Sequence, residues 1–308
     1  VTATAKKSTA NLPGKRLEGV LFLAAGFGTR AEPLSHIRPK ALLPFGRGTV
    51  LGRLARQLSV LSPARVVMNA SRCPGPLLEE LERAWPASGC RVAFEERPLG
   101  AAGTLAGMAD VMSGGAWVVV NTDMVIVELD VLTLVGEHFA LHADWTVLTG
   151  CLPPGGGYQP LKVADGRFGT GRGGDAHFFG VSVMEPCIPL LCREMQLSEG
   201  VFSVLAPEAS RRGMKLMSRE CAGDWLDMGR IDMLRVNILG GGSFVHPRAC
   251  ISKGTQLLGE VHIGAGCILA DGTTVRDSVM LEGSSLESGS LEEKILPWFC
   301  SSRDGSEQ

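Results

Sequence analysis

Val20-Leu21-Phe22-Leu23-Ala24-Ala25-Gly26-Phe27-Gly28-Thr29-Arg30 is the stretch from which the fold is read. Residues Val20 to Ala25 are wholly apolar and run into glycine, the pattern of a strand buried on both faces of a parallel sheet. A strand that ends in Gly26-Phe27-Gly28 gathers backbone N–H groups around one point, and such a turn cradles an anion. Arg30 adds a planar fork for phosphate oxygens. Lys40, in Arg38-Pro39-Lys40, adds a compact charge.

Downstream, apolar patterning alternates between strand and helix. Leucines at 51, 54, 58 and 61 form one helical face, with Thr49 as its N-cap. A strand at Arg65 to Met68 precedes a helix at Leu77 to Trp85. A strand at Arg91 to Phe94 precedes a helix at Ala102 to Met112, and Trp117 to Val120 is the next strand. Further strands fall near Thr146 to Gly150, Phe178 to Met184 and Lys215 to Met217. This alternation predicts an α/β fold, a Rossmann-like, mixed, mostly parallel sheet covered by helices.

At Gly240-Gly241-Gly242 the pattern changes. Val245, Ile251, Leu257, Ile263, Leu269, Val275 and Leu281 are apolar at every sixth position. A period of six suits a short left-handed parallel β-helix with three flat faces and eighteen-residue coils. Glu287 breaks the period. The expected organisation is a flexible N-terminal extension over 1–17, a catalytic domain over 18–239, a hexapeptide-repeat β-helix over 243–290 and a C-terminal tail over 291–308. Open coil ends need capping or pairing, so a homo-oligomer joined through the repeats is expected.

Composition excludes several classes. The 308 residues carry a net charge of −2, which argues against a broad nucleic-acid surface. No apolar run approaches the ~20 residues of a membrane span. Lys6, Lys7, Lys15 and Arg16 precede no apolar core of a secretory signal. Nine cysteines with no C-x-x-C pair predict reduced thiols in a cytoplasmic protein rather than a disulfide framework or zinc knuckle. Gly26-x-Gly28-x-x-Ala31 also matches a relaxed dinucleotide fingerprint. That motif needs a long helix at once, which Pro33 and Pro39 interrupt, and a carboxylate where residues 46–50 offer none.

Five segments together resemble the sugar-phosphate nucleotidyltransferases, in the lineage of mannose-1-phosphate guanylyltransferases and N-acetylmuramate-1-phosphate uridylyltransferases. They are Leu23 to Arg30, Arg38 to Pro44, Glu96 to Gly103, Asn121-Thr122-Asp123, and Asp224 to Gly229. The resemblance implies transfer of a nucleoside monophosphate from a nucleoside triphosphate to a sugar 1-phosphate, with pyrophosphate released. It implies Arg30, Lys40 and Asp123 as catalytic residues, and Mg²⁺ held by Asp123 and Asp227. Ala24, Ala25, Gly26, Gly28, Thr29, Arg30, Lys40, Glu96, Gly100 and Gly103 would bind the nucleotide, and Asn69 and Gly180 would line the sugar side.

The repeats and overall pattern point to a mannose-1-phosphate guanylyltransferase-like activity. The alternatives are a uridylyltransferase acting on another sugar 1-phosphate, and a non-catalytic relative that binds sugar nucleotide and regulates a partner. Many relatives carry a Glu-Lys-Pro segment near the sugar phosphate. None lies between Leu161 and Phe178, where Lys162 stands in a different context. His246 and His262 lie in the repeats, but acyl transfer on such coils usually needs more coils and a trimer.

Overall fold

A computed structural model of the chain describes residues 16–26, 28–86, 89–153, 157–170, 173–299, 301 and 302. Of the expected N-terminal extension, residues 1–15 lie outside the described residues, and Leu17 already opens the first strand. The chain divides into two compact units that do not follow the boundaries at 239 and 243. The first comprises residues 1–26, 54–122 and 126–225. The second comprises residues 27–53, 123–125 and 226–308.

The first unit is built on a nine-stranded sheet. Its strands are β1 (Leu17–Leu23), β2 (Arg65–Ala70), β3 (Arg91–Phe94), β4 (Ala116–Asn121), β5 (Trp145–Cys151), β6 (Leu161–Ala164), β7 (Arg167–Thr170), β8 (Ala176–Met184) and β9 (Leu216–Glu220), in the order β3-β2-β1-β4-β8-β5-β9-β7-β6. The first four pair in parallel, as does β9 with β5. β8 runs antiparallel to both of its neighbours. β1 lies between β2 and β4, so Val20, Leu21 and Phe22 are wholly buried, as their uninterrupted apolar run requires. On one face Leu21, Trp117, Trp145 and Val147 anchor the main core. On the other, Phe22 meets Trp85 edge-on at 5.9 Å.

Helix α1 (Val50–Leu58) buries Leu51, Leu54 and Leu58 completely, the face expected from their spacing. Helix α2 starts at Pro74 rather than Leu77 and runs to Ala84. First-turn N–H groups have no partner within a helix, so Pro74 and Pro76 fit there without loss. Helix α3 (Gly100–Gly107) is shorter than expected and gives way to a 3₁₀ turn at Val111–Gly114. Helices α4 (Val131–Ala140), α5 (Cys187–Glu194) and α6 (Ala206–Arg211) complete this unit.

The second unit holds helix α7 (Ile231–Leu239) and a series of short parallel strands from Phe244 onward. Phe244 pairs with His262, Cys250 with Ile268 and Gln256 with Thr274, a constant offset of eighteen residues. The pairing runs past residue 290. Ser290 to Glu292 pair with Thr274 to Arg276, Ile295 with Val279, and Ser301 with Ser285. Here the inward apolar residues are Leu281, Leu286, Leu291 and Leu296, each at most 1% exposed and five apart rather than six. The turns shorten, the hexad lapses, and the stack continues.

His262 lies inside this stack, 4% exposed, with its ring 5.5 Å from that of Phe244. Its Nδ1 meets no hydrogen-bonding partner among the described residues. Burial, with a smaller contribution from His246, pushes its pKa down to about 4. A base whose folded pKa is depressed favours folding above its unfolded value, near 6.5, and loses that contribution as pH falls toward 4. The shift corresponds to a loss on the order of 3 kcal/mol over that window. Wild-type melting temperature should therefore drop between pH 7 and 4 by several degrees more than that of His262→Phe. Parallel pH profiles for the two proteins would refute the assignment.

Eight cysteines among the described residues form no disulfide, and Cys300 lies outside the described residues. Burial pushes the Cys187 and Cys192 thiols up to about 12, so both are inert at neutral pH.

Candidate active site

Within the second unit, three charged side chains converge on one glycine. Gly28 sits in left-handed backbone at φ 72°, and the aliphatic stem of Lys40 crosses directly over it. The Lys40 ammonium donates to the Gly229 carbonyl at 2.9 Å. A β-carbon built on Gly229 would stand 3.0 Å from Asp227 Oδ1, 3.1 Å from Asp123 Oδ2 and 3.1 Å from Lys40 Nζ. Glycine here keeps open the small space around which two carboxylates and an ammonium gather.

Each arm is fixed locally. The Met228 N–H donates to the Asp123 carbonyl at 2.9 Å. Asp227 is buried. Its Oδ1 accepts the Gly229 N–H at 2.7 Å, and its carbonyl accepts Asn237 Nδ2 of α7 at 2.7 Å. Burial, then the adjacent Asp227 charge, raise the Asp123 pKa, while Lys40 and Arg30 act against the rise. Burial also lowers the Lys40 pKa. Arg30 adds to that effect, and Asp123 and Asp227 oppose it. Arg30 and Thr29 are exposed on the same short turn.

These charges suit a divalent cation bound together with phosphate. Two carboxylate oxygens flank one space, and burial, with a smaller contribution from the Asp227 charge, raises the Asp123 pKa. No cluster of three metal-ligating side chains occurs among the described residues. Carboxylate oxygens in small number, completed by substrate phosphate and water, fit Mg²⁺.

The first unit carries a different group of expected residues. Asn69 is 3% exposed, and its side chain is consumed by the protein. Its Oδ1 accepts the Ala24 N–H at 2.7 Å and the Ala25 N–H at 3.3 Å. Its Nδ2 donates to Glu95 Oε1 at 3.0 Å and to Thr104 Oγ1 at 2.8 Å. Asn69 therefore fixes the turn after β1 and is not disposed to line a sugar. For the same reason the amides of Ala24 and Ala25 are engaged by Asn69 rather than turned toward phosphate.

The buried acid of this network is Glu95, not the exposed Glu96. Glu95 also accepts Thr104 Oγ1 at 2.7 Å and the Leu99 N–H at 3.0 Å. Gly100 and Gly103 open α3 against residues 198–199, and the Gly103 N–H donates to the Ser198 carbonyl at 3.1 Å. Gly26 is exposed at the end of the turn. A cavity of about 310 Å³ lies beside α3, lined by Leu23, Ala101, Asn121, Phe178 and Ser182 among others.

Gly180 is buried in β8, where pairing with β5 slips between Phe178 and Ser182. The slip leaves Phe179 beside an aromatic cluster that sequence reasoning did not find. Phe179 stacks on Trp225 at 5.8 Å, and His177 lies 4.7 Å from both Tyr158 and Trp225. Tyr158 is the only tyrosine in the chain, a signal that composition alone could have raised.

A mostly parallel sheet whose first strand ends in a glycine turn is one feature of this chain, and a lysine with two carboxylates around one glycine is another; both are compatible with a nucleotidyltransferase. Residues 20–169 match the MobA-like NTP transferase domain. This match and the sequence relatives support a sugar-phosphate nucleotidyltransferase family for this chain. It is 25% identical over 304 residues to a mannose-1-phosphate guanylyltransferase of Mycobacterium tuberculosis, covering 89% of this chain and 82% of the relative. It is 26% identical over 228 residues to an N-acetylmuramate alpha-1-phosphate uridylyltransferase of Neisseria meningitidis, covering 70% of this chain and 94% of the relative. The fold matches the crystal structure of a Bacillus anthracis protein described as a glucose-1-phosphate thymidylyltransferase. The TM-score is 0.64, at 18% identity over 75% of this chain and 97% of the other.

Proposed function

We propose that this protein transfers a nucleoside monophosphate from a nucleoside triphosphate to a sugar 1-phosphate, and that Arg30, Lys40, Asp123 and Asp227 carry the reaction. The observation that supports this most is the meeting of Lys40, Asp123 and Asp227 around Gly229. A sugar phosphate oxygen forms a bond to the α-phosphorus as the bond to the β-phosphate oxygen breaks, and pyrophosphate leaves. The nucleophile is already anionic near neutral pH, because a phosphate monoester has a second pKa of ~6. No side chain is needed as a base, and catalysis reduces to positioning and charge neutralisation.

Lys40, held by the Gly229 carbonyl, places its charge at the phosphates, and Arg30 adds a second from the exposed turn. Asp123 and Asp227 would hold Mg²⁺, which when bound neutralises charge on the attacked phosphate. Within the first unit, the cavity beside α3 has the size and mostly apolar lining of a small-ligand pocket.

A mannose-1-phosphate guanylyltransferase activity is the finer reading, supported by a relative that matches through the C-terminal strands as well. A second reading, a uridylyltransferase acting on another sugar 1-phosphate, is supported by the Neisseria meningitidis relative, matched over 94% of its length. Retention of all four charged residues speaks against a non-catalytic regulator. Pyrophosphate release should be measured for GTP, UTP, ATP and dTTP, each with mannose, glucose and N-acetylmuramate 1-phosphates. GTP with mannose 1-phosphate should turn over fastest, and no release from any pair would overturn the proposal.

No helix among the described residues is long and apolar enough to cross a membrane. The cytoplasm, where nucleoside triphosphates are made, is the proposed compartment. The C-terminal strands form a short β-helix in this reading. Its first coil leaves Val245 39% exposed, so pairing between copies through residues 243–290 is proposed. Light scattering should report an oligomer for the intact protein, and a monomer would dismiss the pairing.

A further inference from the structure

Two of the three segments that carry the charged constellation, those of Lys40 and Asp227, are tied to the C-terminal strand stack by arginines. Arg38 lies two residues before Lys40. Its backbone is extended, at φ −141° and ψ 149°, as a residue before proline prefers. Its Nη1 meets Glu282 Oε2 at 2.5 Å. Its guanidinium carbon also lies 5.9 Å from the Trp298 ring and 5.5 Å from the Phe299 ring. Those three partners form one structure, because the Phe299 N–H donates to the Glu282 carbonyl at 3.1 Å. Gly283 between them is required. A β-carbon there, at φ +74°, would stand 2.4 Å from the Phe299 ring that lies over it.

The second tie holds the other arm. Arg235 is on α7, the helix whose Asn237 secures Asp227. Arg235 Nη1 donates to the Asp277 carbonyl at 2.7 Å, and its Nη2 lies 3.9 Å from Glu293 Oε2. Lys40 and Asp227 are thus each a few residues from a guanidinium anchored on the same stack.

We infer that the strand stack is the platform that sets the spacing of the catalytic charges, and that Arg38 and Arg235 are positioning residues. Both arginines and their acidic partners are partly exposed, with side chains 25 to 71% accessible, and exposed ion pairs contribute little to stability. What these contacts supply is geometry. Pro39 alone separates Arg38 from Lys40, so the chain has little slack in which to absorb a displacement. A misplacement of ~1 Å can cost ~10²-fold in rate.

This inference rests on the nucleotidyl-transfer reading, and its test separates the two. Wild-type protein and Lys40→Ala are assayed first. Inactive wild-type protein overturns the reading itself. With wild-type protein active and Lys40→Ala impaired, Arg38→Ala, Glu282→Gln and Arg235→Ala follow. Each should lower kcat by ~10-fold or more, with KM for the triphosphate within ~3-fold and melting little changed. Amide exchange should accelerate at residues 40–43 in Arg38→Ala and not across the strands 256–280. The reversed pair Arg38→Glu with Glu282→Arg should recover part of the lost kcat. Wild-type kcat in Arg38→Ala and Glu282→Gln, or unchanged exchange at 40–43, overturns the inference.

Discussion

Lys40→Ala should reduce kcat by about 10²- to 10³-fold in a protein that remains folded. The ammonium sits among Asp123, Asp227 and the Gly229 carbonyl, and burial already lowers its pKa. A half-buried cation held beside two anions gives up part of its hydration, and its removal takes away a charge-assisted contact to the phosphates. Gly229→Ala is the companion variant. It keeps every charge and inserts a methyl group about 3 Å from all three side chains. It too should lose turnover, because the neighbours must separate to admit it. Circular dichroism and melting check the fold, and steady-state kinetics read the loss. Wild-type turnover in a folded Lys40→Ala protein would remove Lys40 from the mechanism.

Asp123→Asn and Asp227→Asn should each lower turnover by two or more orders of magnitude and raise the Mg²⁺ concentration needed for half-activity. The double variant should be little worse than the poorer single one, because both carboxylates act through one ion. Stability should not suffer. Burial, with a smaller contribution from Asp227, raises the Asp123 pKa, so asparagine at 123 removes a charge that this environment disfavours. Fully additive losses, or an unchanged metal requirement in either single variant, would show that the two carboxylates act separately.

The sheet was legible because β1 is buried on both faces and so must be apolar throughout, and because α1 shows its leucines at helical spacing. The charged residues were legible because Gly28, Arg30 and Lys40 are close together in the chain. Their union with Asp123 and Asp227 came only from the resemblance, since 104 positions separate the two acids. The Asn69 clip was illegible. An asparagine at a strand end gives no sign whether it faces ligand or backbone, and the choice between Glu95 and Glu96 depends on which of two adjacent side chains points inward. The end of the stack was misjudged because a strict six-residue test stops at Glu287. The inward leucines had already moved to positions 286, 291 and 296.

The arginine ties also act as a ruler on chain length. Stacked strands stand about 4.8 Å apart, so each added coil would raise everything after it by that distance. Inserting eighteen well-patterned residues between Gly242 and Asp277 would keep the apolar interior intact, yet carry Glu282 well beyond the 2.5 Å reach of Arg38. Growth beyond Ser302 would displace none of these partners. The stack therefore has one direction open to lengthening, away from the charges it holds, and a stretch before Asp277 where whole turns can be neither gained nor lost.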